Sequence, residues 1–180
     1  MPISRRQFFG SAAAAVVLPR LAHTQPPRCT ILDLGDGCAL RESLAGYRMA
    51  LSDMSPTRPL LVVPSALEIP AATITGCLGW GGTVILEAGD LPVNLWPRRT
   101  PYVELTWPIA TKVRDFSKVR PVSKDRGEII AAADDIAVAF RRRVGFGTLI
   151  YLGTPIGPSL WAGDVEATQW LRAVVSDARS

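Results

Sequence analysis

The stretch that decides the fold runs from Arg58 to Asp90, RPLLVVPSALEIPAATITGCLGWGGTVILEAGD. Leu60, Leu61, Val62 and Val63 form an unbroken apolar run stopped by Pro64, the pattern of a strand covered on both faces. AATITGCLGWGG is then a short helix ending in glycines, and TVILEAGD is a second apolar strand ending in a small, acidic turn. Strand, helix and strand joined by short links make a parallel unit the economical arrangement.

Working outward, the same alternation continues. Upstream, CTILDLGDG reads as a buried strand closing in an Asp/Gly turn, and ALRESLAGYRMAL carries apolar residues at helical spacing. Downstream, GEIIAAADDIAVAFRRRVGFGTLIYLG reads as strand, turn at Asp134-Asp135, strand, glycine turn at Gly145-Phe146-Gly147, and a final strand. The expected class is α/β: three layers, a mostly parallel sheet with helices on both faces, and a C-terminal antiparallel hairpin. Arg141, Arg142 and Arg143 are expected to guard a sheet edge by charge. TPIGPSLWAGD is expected to be an irregular loop. VEATQWLRAVVSDA is expected to be an amphipathic helix, with Ala167, Trp170, Leu171 and Val174 on one face and Asp164 as its cap.

The middle of the chain behaves differently. Residues 91–124 carry Pro92, Pro97, Pro101, Pro108 and Pro121, which exclude long helices, with Trp96, Tyr102 and Trp107 between them. This insertion is expected to be a solvated loop whose aromatic rings pack down on the sheet. Trp96, Tyr102 and Trp107 are its candidate interface residues.

The N-terminus reads as an address. Ser4-Arg5-Arg6-Gln7-Phe8-Phe9, an apolar stretch from Ser11 to Leu18 and a polar exit follow the order of a signal peptide, and paired Arg5 and Arg6 resemble the twin-arginine export signal. Residues 1–24 are therefore expected to be the leader and 25–180 a single domain. The twin-arginine export machinery is then a partner and the destination periplasmic or secreted. The apolar stretch is too short for a permanent membrane span. Arg5, Arg6 and Arg20 account for three of the 20 Lys and Arg, so 17 remain against 16 Asp and Glu. A domain near neutrality carries no charge argument for nucleic acid.

What the composition excludes is chemistry. The one histidine is His23, so residues 25–180 hold no histidine base, no Ser-His or Cys-His pair and no imidazole ligand. Cys29, Cys38 and Cys77 show no metal spacing. Cys29 and Cys38 are close enough in sequence to pair, whereas folding before export would leave thiols reduced. Cys77 is expected to be small apolar filler. GWGG and GFGT lack the spacing and the strand-turn-helix order of a phosphate loop. No cofactor and no metal is expected.

Ligands of an open parallel sheet bind beyond the carboxyl ends of its strands. There the candidates are Asp36, Ser65, Glu68, Glu87, Asp90 and Thr154, four of them carboxylates that a general acid/base pair would need, although Asp is also a common turn residue.

RPLLVVPSALEIPAATITGCLGWGGTVILEAGD, followed after the insertion by IAVAFRRRVGFGTLIYLGTPIG, resembles the class I glutamine amidotransferase-like fold in divergent forms found in sugar-related and exported proteins. Enzymes of that family use a cysteine at a sharp strand-to-helix turn with a late histidine and glutamate. Here the turn holds Pro64-Ser65-Ala66 and the domain has no histidine. The resemblance therefore implies the fold and no amidotransferase residue. The leading expectation is an exported, non-catalytic domain that binds a small ligand or a partner protein. The alternatives are a carboxylate-based hydrolase acting on a glycan, with Asp36, Glu68, Glu87 or Asp90 as its acid/base set, and an accessory subunit exported with an enzyme.

Overall fold

The structure is a computed structural model and describes residues 30–31, 38–64, 71–88, 99–114 and 119–177. Residues 1–24, expected to be a twin-arginine leader, Cys29, the segment Asp36 belongs to, Ser65, Glu68, Asp90 and Trp96 lie outside them. Among the described residues one sheet of eight strands runs through the chain, in the order β1-β2-β3-β8-β7-β6-β4-β5. The strands are β1 Thr30–Ile31, β2 Leu60–Val63, β3 Thr83–Glu87, β4 Tyr102–Leu105, β5 Thr111–Arg114, β6 Glu128–Ala133, β7 Ile136–Val144 and β8 Gly147–Leu152. The helices are α1 Cys38–Leu51, α2 Ala71–Gly79, α3 Gly157–Trp161 and α4 Val165–Asp177.

The Arg58–Asp90 unit forms as a parallel pair, Leu60 opposite Thr83 and Val63 opposite Leu86. All four residues of β2 are buried. Apolar runs without alternation require cover on both faces, and both faces are covered. Tyr47, Leu51, Leu60, Val62, Ile85, Ile150, Trp170 and Leu171 join the larger core on one side. Leu61, Val63, Cys77, Leu78, Val84 and Leu149 join a smaller core on the other, under α2. Cys77 is free and buried, and burial pushes its thiol up to about 11, so it is an apolar filler rather than a nucleophile.

The expected three-layer, mostly parallel sheet is not what forms. β1-β2, β2-β3 and β3-β8 are parallel, but β8-β7, β7-β6, β6-β4 and β4-β5 are antiparallel. The whole is a mixed, strongly curled sheet with few helices. The reason lies in the proline-rich middle. Pro prevents helix but not strand at an edge, and β4 and β5 alternate exposed with buried residues, the mark of strands covered on one face only. Val103, Leu105 and Val113 enter the larger core while Tyr102, Glu104, Lys112 and Arg114 face water. What reads as a looped insertion is thus partly sheet.

A second correction concerns the arginines. β7 lies inside the sheet between β8 and β6, with Arg141 opposite Ile150 on one side and Glu128 on the other. Arg141 therefore guards no edge, while Arg142 and Arg143 extend past the last described β6 residue that pairs with β7. The described edges are β1 and β5, and α4 protects β5: the Lys112 backbone N–H donates to Glu166 at 2.6 Å, and that of Arg114 to Asp164 at 3.0 Å. Asp164 also caps α4 as its sequence suggests, its Oδ1 accepting from the N–H groups of Glu166 at 2.9 Å and Ala167 at 3.2 Å. Ala167, Trp170, Leu171 and Val174 are buried along one face of that helix. TPIGPSLWAGD, expected to be irregular, contains α3, with Pro158 at its start where a missing N–H costs nothing.

Asp164→Ala removes an acceptor for three N–H groups at once. It is expected to lower stability by about 1–2 kcal/mol in urea unfolding, and to speed amide exchange at Arg114 as well as in the first turn of α4.

Candidate functional site

At the carboxyl end of β3, where a parallel sheet presents ligands, the strand carries Glu87. Residues of β3 alternate between the two cores, and Thr83, Ile85 and Glu87 fall on the side of α1, α3 and α4. Glu87 has no exposed surface. A carboxyl in that position has to be hydrogen-bonded or neutral.

It is both, by a division of labour between its oxygens. The Tyr47 hydroxyl donates to Oε1 at 2.7 Å. The N–H groups of Ile156 and Gly157 donate to the same oxygen at 2.7 and 3.0 Å. Oε2 is buried and has no hydrogen-bond partner. Three elements converge here because the sequence allows a close crossing of α1 and α3. A Cβ on Gly46 would overlap the Gly157 carbonyl, and a Cβ on Gly157 would overlap Ser43. Tyr47 and Ser43 are four residues apart on α1, on one face of the helix.

Burial raises the Glu87 pKa from its ordinary 4.5 to about 7, although the donors Tyr47, Ile156, Gly157 and, more weakly, the neighbouring Ser43 hydroxyl favour the charged form. With Oε1 occupied by three donors, the proton of the neutral form belongs on Oε2. The same burial, with Glu87 beside it, holds the Tyr47 phenol well above its usual range, so it donates at all ordinary pH values.

Of the other sequence candidates, Thr154 is 1% exposed and engaged, in the turn between β8 and α3. Asp36, Ser65, Glu68 and Asp90 belong to the segments that follow β1, β2 and β3, outside the described residues. No group of three or more His, Cys, Asp or Glu that could hold a metal is found among the described residues. Of the interface candidates, Tyr102 is exposed on β4, whereas Trp107 is half-buried against the larger core, its carbonyl accepting from the Trp170 indole at 2.9 Å. Trp96 is not described. Sequence reasoning finds Glu87 but misses Tyr47 and the α3 N–H pair. A Ser-x-x-x-Tyr pair within an otherwise apolar helical face is the available signal for the first, and nothing local signals the second.

No family model matches the chain, and no curated protein matches it. Among solved structures it is similar to the exo-β-1,4-mannosidase Op5Man5 from Opitutaceae bacterium strain TAV5, with a TM-score of 0.53 and 12% sequence identity. That likeness is one of fold. It covers 76% of this chain but 31% of the mannosidase, so the chain spans about a third of that enzyme's length.

The shifted carboxyl makes stability depend on pH in a defined direction. The folded state keeps a proton on Glu87 that the unfolded chain releases above about 4.5, so this group favours folding most at acid pH. Stability is lost as pH rises toward 7, by about 3 kcal/mol in all. Glu87→Gln should flatten that slope in urea midpoints measured from pH 5 to pH 8.

Proposed function

We propose that this chain is a carboxylate-based hydrolase acting on a glycan, with Glu87 as its general acid. The observation that carries the reading is the state of that carboxyl: it stays protonated up to about pH 7, and its Oε2, buried and without a partner, lies at the carboxyl end of a parallel strand, so substrate reaches it only when the cover of α1 and α3 opens. A glycosidic acid needs a pKa raised into the working range, and burial away from competing charge is the usual means. The fold shared with an exo-β-1,4-mannosidase over most of this chain's length supports a sugar as substrate. The absence of histidine from residues 25–180 fits carboxylate chemistry, which needs none.

The Oε2 proton passes to the glycosidic oxygen as the bond to the anomeric carbon breaks. Meanwhile Oε1, held by Tyr47 and the two α3 amides, takes up the developing negative charge of the carboxylate. A second carboxylate then activates water or attacks the sugar. Asp36, Glu68 and Asp90, one after each of the first three strands, are its candidates. A spacing between the two carboxyls of about 5–5.5 Å would give retention and about 6.5–9.5 Å inversion. The twin-arginine leader would place this reaction outside the cytoplasm.

Glu87→Gln tests the reading because glutamine keeps the Oε1 acceptor and loses the acid. On aryl β-mannosides, β-1,4-mannooligosaccharides and a panel of other neutral glycosides, the protein should turn over at least one. Its rate should fall as pH rises past about 7, and Glu87→Gln should reduce kcat at least about 100-fold with an unchanged fold. Full activity in Glu87→Gln, or no turnover of any glycoside by the unsubstituted protein, overturns the reading.

A further inference from the structure

The opposite end of the sheet carries a different chemistry. Two adjoining hollows open at the start of β3 and β8 and share Arg141, Arg143 and Thr148. The larger, about 480 Å³, is walled by Gly127, Glu128 and Arg142 besides these, and is of the size of an ordinary small-ligand site. The smaller is completed by Arg58, Thr83 and Trp107, with Val174 and Asp177 at the end of α4.

Four guanidinium groups thus meet two carboxylates. One pairing is fixed: Arg141 contacts Glu128 through its NH2 nitrogen at 2.8 Å and its Nε at 2.9 Å, and lies 4.3 Å from the centre of the Trp107 ring. Asp177 has an interaction of its own. Arg58, Arg142 and Arg143 make no ion pair among the described residues. β7 outruns β6 beyond the Arg141–Glu128 pair, so among the described residues no neighbouring strand pairs with Arg142 and Arg143 on that side. The hydroxyl-bearing Thr83 and Thr148 face each other across the β3-β8 pair between them. At the same end Phe146, 77% exposed at the tip of the β7-β8 turn, stands beside Gly81, and Trp80 precedes it, half exposed. Planar guanidinium forks match the two-oxygen edge of a carboxylate or sulfate, and isolated exposed aromatic rings offer an apolar sugar face something to lie against.

We propose that these hollows form a second site, remote from Glu87, that binds an acidic sugar: one sugar unit in the larger hollow, its carboxylate or sulfate reaching past the shared Arg143 into the smaller hollow toward Arg58, beside the fixed Arg141. The anion requirement stands on the arginines alone, and only the sugar part rests on the glycan reading above. Such a site holds a polymer without cutting it, so its loss affects binding and not the chemistry at Glu87.

Titration calorimetry of the mature protein with trigalacturonate, a sulfated galactose disaccharide, neutral mannotriose and inorganic sulfate decides the matter. At least one of the two acidic sugars should bind, mannotriose should not bind here, and Arg143→Ala with Arg58→Ala should weaken the acidic sugar tenfold or more. Higher salt should weaken it too. Glu87→Gln should leave this binding unchanged, so a failure of the hydrolase and a failure of this site are read separately. Binding by neither acidic sugar, equal affinity for inorganic sulfate, or affinity unaltered in the double arginine variant overturns the proposal.

Discussion

The buried Glu87 carboxyl ties the structure together. It ends β3 in the interior and collects, on one oxygen, a phenol from α1 and two amides from the start of α3. A carboxyl without such donors would cost more than any single contact in this core returns. The two helices have to approach closely to reach the same oxygen. Gly46 and Gly157 permit it, since any side chain at either would collide with the other helix. The interior position that demands these donors also makes the group a weak acid, so the close helix crossing and the raised pKa have one physical source.

Around that point the sheet divides in two by how its faces are covered. On the parallel side, β2, β3 and β8 are sandwiched between the larger core and the α2 core, and their sequences are apolar without alternation. On the antiparallel side, β4 and β5 keep one face in water and their sequences alternate. The open edge at β5 is closed by carboxylates from the start of α4, which satisfy strand amides and cap the helix together. The arginines of β7 lie away from this edge, at the end of the sheet opposite Glu87, where β7 extends past the described β6.

Much of this was legible residue by residue. The apolar run Leu60–Val63, the glycine turn at Gly145, the amphipathic α4 and its cap at Asp164 depend on contacts a few residues apart, and local pattern reports them directly. Glu87 was legible as a candidate because it ends an apolar strand. Its partners were not, since Tyr47 is 40 residues away and Ile156 and Gly157 some 70. The proline-rich middle misled for a physical reason: proline forbids helix and central strand, yet short strands near the edge tolerate it between them.

The sequence by itself determined where β2, β3, β6, β7, β8, α1, α2 and α4 form, and that no histidine takes part in residues 25–180, because both follow from local periodicity and composition; β4, β5 and α3, which also line the larger core, carry no such local signal. Which strands pair, and in which sense, belonged to the tertiary structure. The β8-β7-β6 run could have sat at an edge or, as it does, carried the sheet on to β4 and β5, whose outer side α4 then covers. Only the fold, too, removes Glu87 from water and so gives an ordinary glutamate a pKa near 7, because a carboxyl's acidity depends on the solvent and donors around it.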